Sequence, residues 1–210
     1  MTDNRLIAAI RQTIADPIVQ PVGLAASAPA ADASLDELAR AASAGDVEAV
    51  GRLYDQLVGP IYRYIAVRVR RREDAEDLTH LVFERIVTAL PRYRHDGKPF
   101  SAWAFRIARN AVIDHLRRTR RTEPLDVVPE RDDTGGPDAV SLREEELREL
   151  RAAIQRLTPD QREALILRYA SGLSADEAAQ IMGRQAGTIR GLTFRAIEAL
   201  RRQLGGVRDR

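Results

Sequence analysis

Three aromatic residues, Phe100, Trp103 and Phe105, stand at the head of a segment that ends in Arg117, Arg118, Arg120 and Arg121, although aromatics make up only 5% of the chain. Guanidinium groups attract phosphates, and flat rings offer faces on which bases stack. Together they suit a single-stranded nucleic acid. On a helical wheel for 101–120, Ala104, Ala108, Ala111, Val112 and Leu116 share one broad face. Arg106, Arg109, Asn110, Arg117 and Arg120 fall on the opposite side, with Asp114 near its edge. No glutamates at helical spacing neutralise these arginines. The alternative is a solvated face. Trp103 sits at the border of the two faces, where it can pack in the core and still reach outward. His115, on the apolar face, reads as a packed histidine rather than a ligand.

A second group of candidates lies in "LTPDQREALILRYASGLSADEAAQIMGRQAGTIRGLTFRAIEALRRQL" (157–204), which reads as helix, turn, helix, tight turn, helix. Ser174 and Glu177 have the spacing of a capping box. Gly172 ends one helix, and Gly183 marks the turn of a helix-turn-helix. The following helix starts near Gln185 and turns Gly187, Thr188, Arg190, Gly191 and Arg195 outward. Small residues at its start permit close approach to duplex DNA, and arginines reach phosphates or guanine edges. Leu165, Leu167, Leu173, Ala178, Ile181, Ile189 and Leu200 form its expected core. Packing of three helices without DNA is the competing reading.

The elements that must hold these groups are all helical. No segment alternates in the manner of a strand, and Gly and Pro are sparse within long stretches of helical period. The expectation is an all-α protein of two small helical domains. An N-terminal extension spans 1–34, including the linker-like "PVGLAASAPAADAS" (21–34), and Leu6, Ile7, Ile10, Ile14 and Ile18 can line one face of a short helix within it. The first domain spans 35–121, with helices at 35–43, 46–69, 73–90 and 101–120. Pro91 ends the third helix, 92–99 is a loop, and Ser101 caps the last helix. Residues 122–140 hold three prolines, a Gly-Gly pair and six acidic residues against one arginine, which reads as an acidic flexible linker. The second domain spans 141–210.

Composition excludes several classes. A hydrophobic content of 44% and a charged content of 30% are ordinary for a globular protein, and the formal net charge is only +2. There is no cysteine, and the three histidines are scattered, so neither disulfides nor a metal site is expected. No catalytic constellation and no cofactor motif are found. No apolar run is long enough to span a bilayer, and the N-terminus lacks the pattern of a secretory signal. The expected location is the cytoplasm.

The run "DAEDLTHLVFERIVTALPRYRHDGKPFSAWAFRIARNAVIDHLRRTRR" (74–121) closely resembles region two of bacterial sigma factors of the extracytoplasmic-function type, and "AGDVEAVGRLYDQLVGPIYRY" (44–64) resembles its start. The resemblance implies that the helix with Asp74, Glu76, Asp77, Leu78, His80 and Phe83 binds the clamp helices of the RNA polymerase β′ subunit. His80 stands where a glutamine is usual. It further implies that Tyr93, Arg94, Lys98, Phe100, Trp103, Arg106, Arg109, Asn110 and Arg117 melt and read the minus-ten promoter element. Residues 142–204 resemble region four, which reads the minus-thirty-five element and contacts the polymerase β flap. That match implies DNA contacts by Arg184, Gln185, Gly187, Thr188, Arg190, Gly191 and Arg195. Arg184 and Gln185 replace an apolar residue and a capping serine, and Thr193 falls where a leucine is common.

The implied function is that of a sigma factor, which directs core RNA polymerase to promoters and helps to melt them. The implied partners are core polymerase, promoter DNA in duplex and single-stranded form, and an anti-sigma protein of the kind the family usually has. The alternative is a stand-alone helix-turn-helix regulator, against which the arginine and aromatic unit argues. A helical adaptor without DNA binding would need idle arginine faces.

Overall fold

The computed structural model describes residues 34–69, 71–122, 149–150 and 152–205. Among them every regular element is helical. The described residues of Pro17–Arg131 form one compact unit and those of Asp132–Arg210 another. The apolar face expected near the N-terminus and most of both expected linkers lie outside the described residues.

The first unit contains α1 (Leu35–Ser43), α2 (Val47–Ala66), α3 (Arg72–Ala89), a 3-10 turn (Leu90–Arg92) and α4 (Phe100–Thr122). Ser34 opens α1: its hydroxyl accepts from the Glu37 N–H, and the Glu37 carboxylate accepts from the Ser34 N–H at 2.9 Å. The two bonds are reciprocal, as in a capping box. Gly45, at φ 101°, makes the turn to α2 in a region that side chains avoid. Asp46 then caps α2 by accepting from the Ala49 N–H at 3.1 Å. α2 stops at Ala66, short of the expected 69. Arg68 turns back there, donating to the Tyr64 carbonyl at 2.8 Å and laying its guanidinium 3.7 Å from the Tyr64 ring centre. Pro91 ends the α-helical path as expected, leaving the 3-10 turn.

α4 packs on α2 and α3 through the small residues Ala104, Ala108 and Ala111, all buried. Phe105 meets Tyr64 edge to face at 5.6 Å. Each large apolar side chain buried here contributes about 1.5–3 kcal/mol. The start of α4 departs from expectation. Ser101 lies inside the helix and is buried, so it is no cap. A carboxylate from α1 takes that place: Asp36 Oδ1 accepts from the Phe100 N–H at 2.6 Å. α4 also runs on to Thr122, one residue into the expected linker.

In the second unit, residues 149–150 and 152–155 are helical. They are followed by α5 (Pro159–Leu165), a π turn (Ile166–Ala170), α6 (Ala175–Met182) and α7 (Ala186–Gly205). Thr158 and Gln161 form one capping box, and Ser174 and Glu177 form the expected second. Gly172 (φ 75°) and Gly183 (φ 65°) both adopt left-handed backbone, and Gly183 ends α6 and turns the chain into α7. All seven expected core residues are buried. So is Thr193, whose hydroxyl donates to the carbonyls of Ile189 and Arg190 at 2.9 Å each. Leu192 beside it is also buried.

Among the described residues no helix is long and apolar enough to cross a membrane. No cluster of three or more His, Cys, Asp or Glu among them can hold a metal ion.

Candidate nucleic-acid interface

On α4, Arg106, Asn110 and Arg117 are exposed, Asp114 lies among them, and Arg109 is half-buried. The apolar positions of the same helix point the other way, as the wheel requires. The side chain of Arg120 lies outside the described residues. In the loop before α4, Arg94 and Lys98 are exposed. Lys98 Nζ lies 2.6 Å from Asp96 Oδ2, and this hydrogen bond holds the Asp96 carboxyl below its ordinary pKa. Gly97, at φ 81°, makes the bend.

The aromatic residues do not form a stacking surface as a group. Phe100 is 0% exposed and Tyr93 8%. Their rings meet edge to face at 5.1 Å, and each lies 5.2 Å from Trp103. Neither ring can meet a base unless the core opens. Trp103 is half-buried, so part of it packs against these rings and part reaches solvent.

α3 separates the same way. Asp77 and His80 are exposed, and Glu76 is exposed but held by Arg72 at 2.7 Å. Leu78 and Phe83 are buried, with the Phe83 ring 4.6 Å from Tyr54, so both pack on the inner side of the helix. Asp74 is half-buried, its carboxylate 3.8 Å from His115 Nε2. His115 therefore packs at the border of the core, beside a charge rather than wholly among apolar groups. The outward stripe of α3 runs Glu73, Asp77, His80, Glu84 and then Val87, which is 48% exposed. Val87 borders an apolar hollow of about 240 Å³ shared with Val50, Tyr54 and Leu90. Sequence reasoning missed Val87, although its spacing after Glu84 is the signal.

On α7, Gly187, Thr188, Arg190 and Arg195 are exposed and Gly191 is half-buried. Gly187 has open space where a Cβ would stand, so duplex can come close to the helix. Arg184 and Gln185 are exposed just before α7. Arg184 lies 3.0 Å from Asp160, and Arg190 lies 3.7 Å from Asp176. Exposed pairs like these are worth about 0–1 kcal/mol, so a phosphate can displace the carboxylate. Phe194, which the sequence gives no reason to place outside the core, is 65% exposed on the side of α7 that carries Gly187 and Gly191.

Residues 50–122 match the family model described as Sigma-70 region 2, and residues 147–200 match Sigma-70, region 4. The ECF RNA polymerase sigma factor BldN of Streptomyces coelicolor is 38% identical over 182 residues, covering 84% of this chain and 69% of that protein. The chain belongs to the extracytoplasmic-function sigma factors. The ECF RNA polymerase sigma factor SigD of Mycobacterium tuberculosis is 32% identical, covering 83% of this chain and 86% of the relative. Two solved structures resemble the fold. One is the sigma factor RpoE in complex with the anti-sigma factor NepR from Bartonella quintana, with a TM-score of 0.57 and 26% identity over 76% of this chain and 98% of that one. The other is CnrH in complex with the cytosolic domain of CnrY, with a TM-score of 0.59 and 25% identity over 85% and 98%.

This sigma factor is a transcription initiation factor that directs RNA polymerase to promoters. The stand-alone regulator is not favoured, because region 2 occupies the place where that reading needs a receiver or ligand domain. The exposed surfaces of α3 and α4 fall within the region 2 match, and that of α7 within region 4.

Proposed function

We propose that the outward stripe of α3, led by Asp77 and His80, docks this sigma factor on core polymerase, and that α4 with the loop before it captures the melted minus-ten strand. In the same reading α7 enters the major groove at the minus-thirty-five element. The domains run 35–121 and 141–210, with 122–140 as an acidic tether. The protein works in the cytoplasm and is not itself an enzyme. An anti-sigma protein is a further partner. The observation that carries the reading is the division of α4: Arg106, Asn110 and Arg117 are exposed along one side, and the packed alanines are opposite. Transcription by core polymerase from a pool of random promoters tests the whole. Added sigma factor should select a two-element promoter, and failure to select any sequence would overturn it.

Two variants test its parts. Asp77→Arg should weaken binding to core polymerase by about tenfold or more, because it reverses a charge at the proposed interface. Its helical content should not change, since Asp77 is exposed. Unchanged affinity would remove α3 from the interface. Arg190→Ala or Arg195→Ala should cost about 1–3 kcal/mol in promoter binding if the side chain meets a base edge. A phosphate contact would instead lower the salt slope by about one unit. Parent-like footprints and salt slopes for both variants would mean that α7 meets DNA through another face.

A further inference from the structure

We propose that Asp36 of α1 is a positioning residue for promoter opening, fixing the strand-capturing end of α4 from outside the segment that matches region 2. The inference rests on the reading that α4 and the loop before it take the minus-ten strand.

The first amides of a helix have no intrahelical acceptor. In α4 the Phe100 N–H is one of these, and it donates to Asp36 Oδ1 at 2.6 Å across 64 positions of sequence. The acceptor carries a full negative charge and faces the positive end of the helix dipole, so the bond is of the stronger, charge-assisted kind. Asp36 is itself held. The reciprocal Ser34 and Glu37 bonds lock the start of α1, and the Asp36 carbonyl accepts from Arg40 Nε at 3.2 Å. α1 packs on α2, on the 3-10 turn and on α4.

The loop thus has two fixed ends. Tyr93 closes one, with its ring 5.1 Å from Phe100 and 5.2 Å from Trp103. Burial, and then the negative charge of Asp36, raise the pKa of the Tyr93 hydroxyl. Trp103, which is half-buried, follows Phe100 by three residues. Freeing the Phe100 amide lets the first turn of α4 fray, which moves Trp103 and the exposed Arg94 and Lys98 relative to Arg106. Asp36 lies outside the matched residues 50–122.

The test uses the full chain with core polymerase, comparing the parent with Asp36→Ala and Asp36→Asn. Opening of a duplex promoter is followed by permanganate reactivity of thymines, and the Phe100 amide by hydrogen exchange. Asp36→Ala should slow opening about tenfold, and Asn, which keeps a neutral acceptor, about threefold. The Phe100 amide should lose protection in the same order. Affinity for core polymerase should stay unchanged, which loss of the fold would not allow. If Asp36→Ala does not fold, the Asn variant decides, with slower opening and a less protected amide as support. Parent-like opening in the folded Asp36 variants overturns the inference. If a double Arg106→Ala, Asn110→Ala variant is slow in that case, the reading of α4 survives. If that double variant also opens normally, the reading falls and takes the inference with it.

Discussion

Phe100→Ala lowers the stability of the first unit by about 3–5 kcal/mol. The ring is fully buried and touches Tyr93 and Trp103 at 5.1 and 5.2 Å. Truncation removes both aromatic contacts and leaves a void beside helices that cannot close over it. Trp103 is the one tryptophan in the chain. Its emission during urea unfolding therefore reports on the first unit alone, even though the chain has two units that need not unfold together. Trp103→Ala, followed by circular dichroism, should cost less than Phe100→Ala because Trp103 is half-buried. A loss below about 1 kcal/mol for Phe100→Ala would mean that the ring is not packed in solution and is free to stack on bases.

The contrast between Phe100 and Arg106 marks how far the sequence could be read. Helical period separates an apolar face from a polar one, and it does so correctly for Ala104, Ala108 and Arg106. It cannot divide residues that are large, apolar and close to the proposed contact. The family resemblance places Phe100, Tyr93, Leu78 and Phe83 at interfaces together with exposed residues such as Asp77 and Arg106. A family pattern records residues needed for packing together with residues needed for contact, so it does not distinguish them. Burial does, and it moves all four into the core.

Local rules succeeded where both partners are neighbours in sequence. Ser174 and Glu177 are three apart, and their capping box forms as expected. Gly183 supplies the left-handed residue that ends α6. Ser101 failed as a cap for the opposite reason. The group that satisfies α4 comes from Asp36, which no window around residue 100 contains. The π turn at Ile166–Ala170 is equally hidden, since its sequence shows nothing but continuing helical period. Val87 and Phe194 carry no charge or hydrogen-bonding group, so their exposure is not legible from residue type.

Replacing Arg106 and Asn110 together by Ala slows strand opening by about a hundredfold or more, provided that each donates a hydrogen bond to a phosphate worth about 1.5 kcal/mol. Both side chains are exposed on the same side of α4. Arg109 is a poorer probe because it is half-buried and has a partner within the protein, so its loss would mix stability with binding. The double variant should still form the initial closed complex, which the second unit and the polymerase contact support. The defect should appear as loss of permanganate-reactive thymines near the start site. A template melted in advance across the minus-ten element should restore only part of the activity. Pre-melting removes the cost of unpairing, but the missing phosphate contacts remain absent. Trp103 emission should show an unfolding midpoint close to that of the parent, because neither side chain is part of the core. If the double variant opens duplex promoters at the parent rate, the exposed side of α4 is a solvated surface, and strand capture belongs to another part of the polymerase complex.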